Sequence, residues 1–205
     1  TVDYLLKSAR ANGQKLILLW FGSWKNSMSC YAPSWVKRGF NSEFELAANS
    51  DGSIPEIMSA FSERNVRADA KAFASLMKYI RKADGSEGTV IMVQVENEIG
   101  MLGDARDHSR LAQNAYNSPV PYEMMYMLTS GKANEHINNV WKSAGRAAEG
   151  TWKEVFGSSI DADEIFMAYW YAKYTERVAA AGKAEYDIPM FVNTALNSRG
   201  RKAGD

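Results

Sequence analysis

The sequence predicts an α/β protein built around a parallel sheet, and three observations lead to this class. Three short segments are almost entirely apolar, as expected of strands that are buried on both faces. Apolar residues recur at helical spacing between those segments, so that the order of elements is α-β-α-β-α-β. With 205 residues, 46% of them hydrophobic and 12% aromatic, the chain has enough apolar material for a folded core.

The first half of the chain predicts a helix, a strand and a second helix. The first helix, Thr1–Ala11, ends at Asn12-Gly13, a common stop signal, and the strand Lys15–Gly22 follows. The second helix starts at Ser62, because a serine hydroxyl is a good N-cap and helical periodicity begins after it. The predicted apolar face of this helix consists of Val66, Ala70, Phe73, Met77 and Ile80.

The second half predicts two further strands, Thr89–Glu98 and Ile188–Asn193, with a helix between them. That helix runs from about Asp161 to Ala181, with acidic residues in its first turn and Gly182 just past its end. The connection Ile99–Ser159 is long, and loops of such length are usually functional in a compact domain. Within it, the pattern predicts small helices over Tyr122–Ser130 and Glu135–Ser143.

The spacing of the strands predicts that the chain is part of a larger sheet. The strands begin at positions 15, 89 and 188, whereas one βα unit of an eight-stranded barrel takes about 30 residues. Three parallel strands cannot close a barrel, and they leave unpaired edges that are prone to aggregation. We therefore expect residues 1–205 to be an internal fragment of a larger α/β domain.

Charge and composition exclude several classes of function. The 24 Lys and Arg residues balance the 24 Asp and Glu residues, so the chain has no basic footprint for nucleic acid. The longest apolar run, Leu16–Phe21, is far too short to span a membrane. Cys30 is the only cysteine, which excludes an intrachain disulfide and predicts an inert thiol. His108 and His136 are not spaced as zinc ligands, and no dinucleotide or Walker motif occurs.

The candidate chemistry lies at the carboxyl end of the second strand, where parallel sheets bind their ligands. Strand alternation predicts that Gln94, Glu96 and Glu98 point to one face, with Val93 and Val95 on the other. Buried carboxylates are costly unless they are hydrogen-bonded or used. Position alone leaves two interpretations open, a general acid with a raised pKa or a structural hydrogen-bond network.

The motifs around this strand resemble those of a known enzyme family. Asn97-Glu98 at the end of a strand is similar to the signature of the retaining (β/α)8 glycosidases. The longer string VQVENEIG resembles glycoside hydrolase family 35, the β-galactosidases, which typically carry VQVENEYG, with Ile99 as the departure. Further segments resemble the bacterial branch of this family and its family 42-like relatives: LILLWFGSWKN, YAPSWVK, TWKEVFG, DEIFMAYWYAKY and MFVNTALN.

The resemblance implies a partial TIM (β/α)8 barrel, in which the three strands are the third to the fifth. It implies that Glu98 is the acid/base and that Asn97 hydrogen-bonds the sugar 2-hydroxyl. Glu96 matches the first glutamate of the family's ENE string, and the resemblance implies that it either supports the site or contacts the substrate. The nucleophile of the family, a glutamate on the seventh strand, has no match in this chain. Ser23-Trp24 stands where many members have a glutamate before the tryptophan, which favours the bacterial subgroup.

Trp24 and Asn26 follow the first strand, and Asn193 ends the third, so we expect them to share the mouth with Glu98. A tryptophan ring can stack on the apolar face of a sugar, and an amide can bind sugar hydroxyls. A packed aromatic side chain and turn asparagines are the open alternatives. Trp35, Trp170 and Tyr171 are predicted to pack in the core or between helices.

The resemblance also implies an activity, the release of terminal β-linked galactose by a retaining double displacement without a metal or an organic cofactor. Galactosylated plant-wall oligosaccharides, such as those from xyloglucan, are the implied substrates. A periplasmic or secreted location is typical of such enzymes. The alternative is a non-catalytic carbohydrate-binding protein on the same scaffold, and a glutamate at the end of the seventh strand of the complete protein would favour the enzyme.

Overall fold

The structure, a computed structural model, describes residues 1–40 and 42–195 in full, together with the backbone of residues 203–204. Within these residues the helices are α1 (Val2–Ala11), α2 (Ser34–Arg38), α3 (Glu63–Asp84), α4 (Arg110–Tyr116), α5 (Tyr122–Thr129), α6 (Glu135–Ser143), α7 (Trp152–Phe156) and α8 (Ile160–Glu185). The strands are β1 (Leu16–Trp20), β2 (Trp24–Asn26), β3 (Ser29–Cys30), β4 (Val90–Val95), β5 (Met101–Leu102), β6 (Met190–Phe191) and β7 (Ala203–Gly204).

The central sheet contains β1, β4 and β6, and β4 lies in the middle and pairs in parallel with both neighbours. Gln94 of β4 lies between Leu19 of β1 and Phe191 of β6, so the carboxyl ends of the three strands meet at one edge. The mixed α/β class and the parallel pairing of the three predicted strands are therefore confirmed. The side chains at this edge form the candidate site.

Each central strand is shorter than predicted. Strand β4 ends at Val95, because Glu96 and Glu98 have φ angles of 60° and 45°, outside the extended region. Alternation therefore stops before these residues. The prediction that Glu96 and Glu98 share one face with Gln94 is wrong, since Glu96 is buried and Glu98 is half-buried.

Helix α3 carries the predicted apolar face and packs along α8. The Ser62 hydroxyl accepts a hydrogen bond of 3.4 Å from the backbone N–H of Asn65, which confirms the predicted N-cap. The Phe73 ring lies 5.3 Å from the Trp20 ring of β1, centroid to centroid, and joins the helix to the sheet. The buried residues of the predicted face are Val66, Phe73, Met77 and Ile80.

Helix α8 was predicted to end before Gly182, but it continues to Glu185. Gly182 is buried against α3, and a Cβ atom at this position would lie only 2.3 Å from Cε1 of Phe73. A glycine near the end of a periodic segment usually marks a helix end, but here it lets two helices approach closely. No described helix is long and apolar enough to cross a membrane.

The connection between β4 and α8 is more structured than predicted. It contains the two predicted helices as α5 and α6, and also α4 and α7, which were not predicted. The backbone N–H of His108 donates to the Ala48 carbonyl at 2.7 Å, and Asp107 accepts from the Ser59 hydroxyl at 2.7 Å. These bonds attach the connection to the segment that precedes α3. Strands β2 and β3 were also missed, because three and two residues are too few to show a period.

The three aromatic residues predicted to pack behave differently. Tyr171 is buried and Trp170 is partly buried against the core, as predicted. Trp35 is 55% exposed and touches the Phe44 ring edge-on, with 5.5 Å between centroids. The prediction for Trp35 is wrong because α2 is a short surface helix that turns this ring outward.

One face of β1 is open. Ile17 and Leu19 are 51% and 55% exposed, whereas Leu16, Leu18 and Trp20 pack partly buried against the core. Exposed aliphatic side chains in alternation with packed ones indicate a sheet face that is suited to contact with further protein.

Candidate active site

Three side chains, Gln94, Asn97 and Asn193, form an amide cluster at the carboxyl ends of β4 and β6. Asn97 Oδ1 accepts from Gln94 Nε2 at 3.0 Å and from Asn193 Nδ2 at 3.0 Å. Asn193 Oδ1 accepts from the backbone N–H of Glu98 at 3.0 Å, and Gln94 Nε2 also donates to the Glu96 carbonyl at 2.9 Å. The amide cluster therefore joins the two strands and fixes the path of the chain through residues 96–98.

Glu98 has a fixed backbone and an unengaged side chain. Its N–H is held by Asn193, and its carbonyl accepts from the Ser27 hydroxyl at 3.1 Å. The side chain is half-buried, and no hydrogen bond or ion pair within residues 1–40 and 42–195 engages its carboxylate. A left-handed φ in a non-glycine residue costs about 1 kcal/mol and is typical of functional sites. This arrangement suits a carboxylate that transfers protons to a ligand.

Glu96, two residues earlier, lies in the core and is only 1% exposed. Its Oε2 atom accepts from the backbone N–H groups of Ser23 and Trp24 at 3.1 and 3.0 Å. Burial, and then the charge of Asp69 and a hydrogen bond with it, raise the pKa of the Glu96 carboxyl well above its ordinary value. The expectation that Glu96 contacts substrate is wrong, because its sealed side chain reaches only protein; the supporting role agrees with the structure.

Asp69 of α3 binds the same loop as Glu96. Its Oδ2 atom accepts from the Ser23 N–H at 3.1 Å, from the Ser23 hydroxyl at 2.8 Å and from the Tyr174 hydroxyl at 3.0 Å. Its Oδ1 atom accepts from Trp20 Nε1 at 2.9 Å. Asp69 is 6% exposed, so these four donors replace the water that the carboxylate lost on burial.

Gly22 makes room for the two carboxyl groups, Asp69 and Glu96, which we call the acid pair. A Cβ atom at Gly22 would lie 2.2 Å from Asp69 Oδ1 and 2.5 Å from Glu96 Oε1, far inside van der Waals contact. Burial, and then the negative charge of the acid pair, raise the pKa of the Tyr174 hydroxyl well above its ordinary value. The loop after β1 is thus held between α3, α8 and the end of β4.

The structure corrects the prediction for Trp24. Its ring is fully buried and lies edge-on to the rings of Tyr171 and Tyr174, with centroids 5.8 and 4.8 Å apart. Its Nε1 donates to the Gly100 carbonyl at 3.2 Å. The expectation that Trp24 offers its face to a sugar is wrong, because β2 turns the ring into the core; the packed aromatic alternative is the one observed.

Asn26 uses its side chain in the turn between β2 and β3. Its Oδ1 atom accepts from the Met28 N–H at 3.0 Å and from the Ser29 hydroxyl at 3.1 Å. The hairpin meets the amide cluster through its main chain, since the carbonyl of Lys25 accepts from Asn97 Nδ2. The turn alternative therefore holds for Asn26, and sugar binding by this residue stays a prediction.

Sequence reasoning missed Asp69, Ser23 and Tyr174. One signal could have found Asp69, because it falls one turn after Val66 on the predicted apolar face of α3. A carboxylate on the buried side of a helix needs a partner in the core. Ser23 and Tyr174 carry no comparable signal, since hydroxyl side chains are common at strand ends and on helices.

Cys30 is buried, and burial raises the pKa of its thiol, as expected of an inert cysteine. In the part of the chain that the structure describes, no three or more His, Cys, Asp and Glu side chains are grouped so as to hold a metal ion.

Comparison with known proteins identifies the fold. No family profile matches the sequence, and no curated protein matches it. Among solved structures, the chain is similar to crystal structures of β-galactosidase from Bacillus circulans sp. alkalophilus (TM-score 0.57, 12% identity) and from the psychrophilic Marinomonas ef1 (TM-score 0.56, 14% identity). Both comparisons cover 94% of this chain, and they cover 28% and 29% of the two enzymes. This chain therefore has a glycosidase-like fold and spans less than a third of the length of the bacterial β-galactosidases that share it.

Proposed function

We propose that the chain is part of the catalytic domain of a retaining glycoside hydrolase, most similar to the family 35 β-galactosidases. In this proposal β1, β4 and β6 are the third to fifth strands of a (β/α)8 barrel, and the nucleophile lies outside residues 1–205. One observation carries the proposal: the unengaged carboxylate of Glu98 lies beside Asn97 at the carboxyl end of the middle strand.

The proposed mechanism is a double displacement. The protonated carboxyl group of Glu98 donates its proton to the glycosidic oxygen while the nucleophile attacks the anomeric carbon and the aglycone leaves. The Glu98 carboxylate then takes a proton from the water that attacks the glycosyl–enzyme bond. Asn97 Nδ2 donates one hydrogen to the Lys25 carbonyl, and its second hydrogen can be donated to the sugar 2-hydroxyl. Asn193 borders the sugar and holds the Glu98 main chain.

Three observations support parts of this proposal. The fold is shared with bacterial β-galactosidases. The open face of β1, with Ile17 and Leu19, has the aliphatic character of a barrel interior. The resemblance of VQVENEIG to the family 35 motif favours β-linked galactose, as in plant-wall oligosaccharides, and this family resemblance also favours a periplasmic or secreted enzyme.

The experiment is to replace Glu98 by alanine in the full-length protein. With an unactivated β-galactoside, kcat/KM should fall about 10²- to 10⁴-fold, the usual contribution of general acid catalysis. An activated aryl β-galactoside should lose far less kcat/KM, because its leaving group departs without a proton. Added azide should raise kcat and yield the β-galactosyl azide, since a small anion needs no general base and two inversions restore the original configuration.

Three outcomes would contradict the assignment or change it. Equal losses on both substrate classes, with no response to azide, would remove Glu98 as the acid/base. An α-configured azide would identify Glu98 as the nucleophile instead. Binding of galactosides by a wild-type protein that shows no turnover would favour the alternative, a non-catalytic carbohydrate-binding protein.

A further inference from the structure

The geometry of the acid pair favours a proton between its members. One oxygen of Asp69 and one of Glu96 lie within 2.5 Å of the same point beside Gly22. Two carboxylate ions so close together in a buried site repel each other strongly, whereas a carboxylic acid can donate its proton to the facing carboxylate. Among the described residues, no Lys, Arg or His forms an ion pair with either group to relieve this repulsion.

The hydrogen bonds indicate which member carries the proton. Asp69 accepts four bonds from the side chains of Trp20 and Tyr174 and from the N–H and hydroxyl of Ser23, all between 2.8 and 3.1 Å, which stabilise its charged form. Glu96 Oε2 accepts two backbone N–H bonds, but Oε1 receives only a long contact of 3.4 Å from the Ser23 N–H. Oε1 is also the Glu96 oxygen that lies, with Asp69 Oδ1, beside Gly22. Glu96 is therefore the acid and Asp69 the carboxylate.

The other ionisable groups near the pair supply no positive charge. Tyr174 approaches from α8 and Cys30 from the hairpin β2–β3, and burial comes first among the causes that raise the pKa of each. Both remain neutral at ordinary pH. A single negative charge, shared by the acid pair through one proton, is thus the state that this part of the core can hold.

The acid pair is connected to the proposed acid/base by two short paths through the hairpin. The pair binds the backbone N–H groups of residues 23 and 24. The next carbonyl, that of Lys25, accepts from Asn97 Nδ2, and the Ser27 hydroxyl donates to the Glu98 carbonyl. A shift of the hairpin would therefore move Asn97 and Glu98.

We propose that Glu96 remains a neutral acid hydrogen-bonded to the Asp69 carboxylate, and that this shared proton positions the hairpin β2–β3 against Asn97 and Glu98. Glu96 and Asp69 are positioning residues, since both act through the backbone N–H groups of the loop that leads into the hairpin. The connection to catalysis rests on the proposed function, but the shared proton does not. Glutamine should replace the neutral acid, because its carbonyl can accept the backbone N–H bonds and its amide can donate to Asp69.

The test combines infrared spectroscopy with variants of the full-length protein. The proposed mechanism also protonates Glu98, so the band of Glu96 is measured in the Glu98→Gln background. At neutral pH, Glu98→Gln should show the carbonyl band of a protonated carboxylic acid that shifts in D2O, and adding Glu96→Gln should remove that band. Turnover decides only the proposed function, so a wild type without activity whose Glu98→Gln variant still shows the band would contradict Glu98 as the acid/base and support the shared proton.

Stability and kinetics test the positioning role. Glu96→Ala leaves the buried Trp24 N–H without its acceptor, removes one acceptor of the Ser23 N–H and opens a cavity beside Asp69, so its melting temperature should fall by about 5 °C or more. Its kcat should fall about tenfold or more at little change in KM, because the hairpin no longer holds Asn97 and Glu98 in register. Glu96→Gln should keep the wild-type melting temperature and a kcat within about twofold. A folded Glu98→Gln variant without the band, a band that survives when Glu96→Gln is added to Glu98→Gln, or a Glu96→Gln variant as impaired as Glu96→Ala would each overturn the proposal.

Discussion

Glu96 and Glu98 are separated by one residue and carry the same functional group, yet they lie in opposite surroundings. Glu96 is 1% exposed, and its carboxyl group is bound by the backbone of the loop after β1 and by Asp69. Glu98 is half-buried, and its carboxylate is unengaged within the described residues, while the amide cluster holds its main chain. Both have a left-handed φ, so strand alternation directs neither side chain.

The difference teaches that surroundings, and not residue type, assign a role to a strand-end carboxyl group. A sealed acid with fixed partners supports the backbone and is unavailable to a ligand. An open carboxylate on a fixed backbone can exchange protons with a ligand. Three variants test this contrast. One perturbs the buried acid pair that contains Glu96, one perturbs the amide cluster that holds Glu98, and the third changes an exposed carboxylate as a reference.

Gly22→Ala should have the largest effect on stability. Its methyl group would lie 2.2 Å from Asp69 Oδ1 and 2.5 Å from Glu96 Oε1, and both carboxyl groups are fixed by hydrogen bonds to the loop after β1. We expect a loss of about 3 kcal/mol in the free energy of unfolding, from overpacking and broken hydrogen bonds. Urea unfolding measures it. The control Gly52→Ala, in open space at φ 84°, should cost about 1 to 2 kcal/mol from backbone strain alone. Equal losses of stability in the two variants would contradict the close packing of Gly22 against the acid pair.

Asn193→Ala should have an intermediate effect on the open side. It removes the acceptor of the Glu98 N–H and a donor to Asn97, both at 3.0 Å and partly exposed, so about 1 kcal/mol of unfolding free energy should be lost. Amide hydrogen exchange should show faster exchange at Glu98. Thr194→Ala, at the exposed neighbouring position, is the control and should leave that exchange rate unchanged. An unchanged rate in Asn193→Ala would mean that the amide cluster does not hold the Glu98 main chain.

Glu63→Gln should have the smallest effect, because its ion pairs are exposed. Glu63 accepts two bonds of 2.7 Å from Arg177 of α8, and its hydrogen bond with Arg177 is the largest of the causes that lower its pKa to about 2, from an ordinary 4.5. The lowered pKa means that the stabilisation is present above pH 4.5 and is lost as the pH falls towards 2. Since the side chains are half-exposed, the loss should stay below about 1 kcal/mol and shrink with added salt.

Urea unfolding over this pH range measures the effect of Glu63→Gln. The control Glu87→Gln changes an exposed carboxylate that no described ion pair engages, so the slope of stability against pH should differ from the wild type only in Glu63→Gln. A loss as large as that of Gly22→Ala would show that exposed and sealed carboxyl groups contribute alike, and the contrast would fail.

The sequence by itself determined the elements that bury one face over many residues. Helix α3, with its Ser62 cap, was predictable because a buried stripe imposes a period on the chain, and the parallel strands were predictable because each is a short, nearly continuous apolar run. The position of Asn97 and Glu98 at a strand end was predictable for the same reason, since the strand segment places them there. Short elements such as β2, β3 and α7 carry too few residues to show a period.

Only the tertiary structure decided the direction and partners of individual side chains at the site. Glu96 meets Asp69, Trp24 packs on Tyr174, and Gly182 admits Phe73, and in each case the partners come from separate elements. Local sequence records which residues are apolar or able to turn, but it does not record which distant side chain occupies the space beside them. Burial and hydrogen bonding depend on the folded arrangement of these elements, and they distinguish the buried Glu96 from the half-buried Glu98.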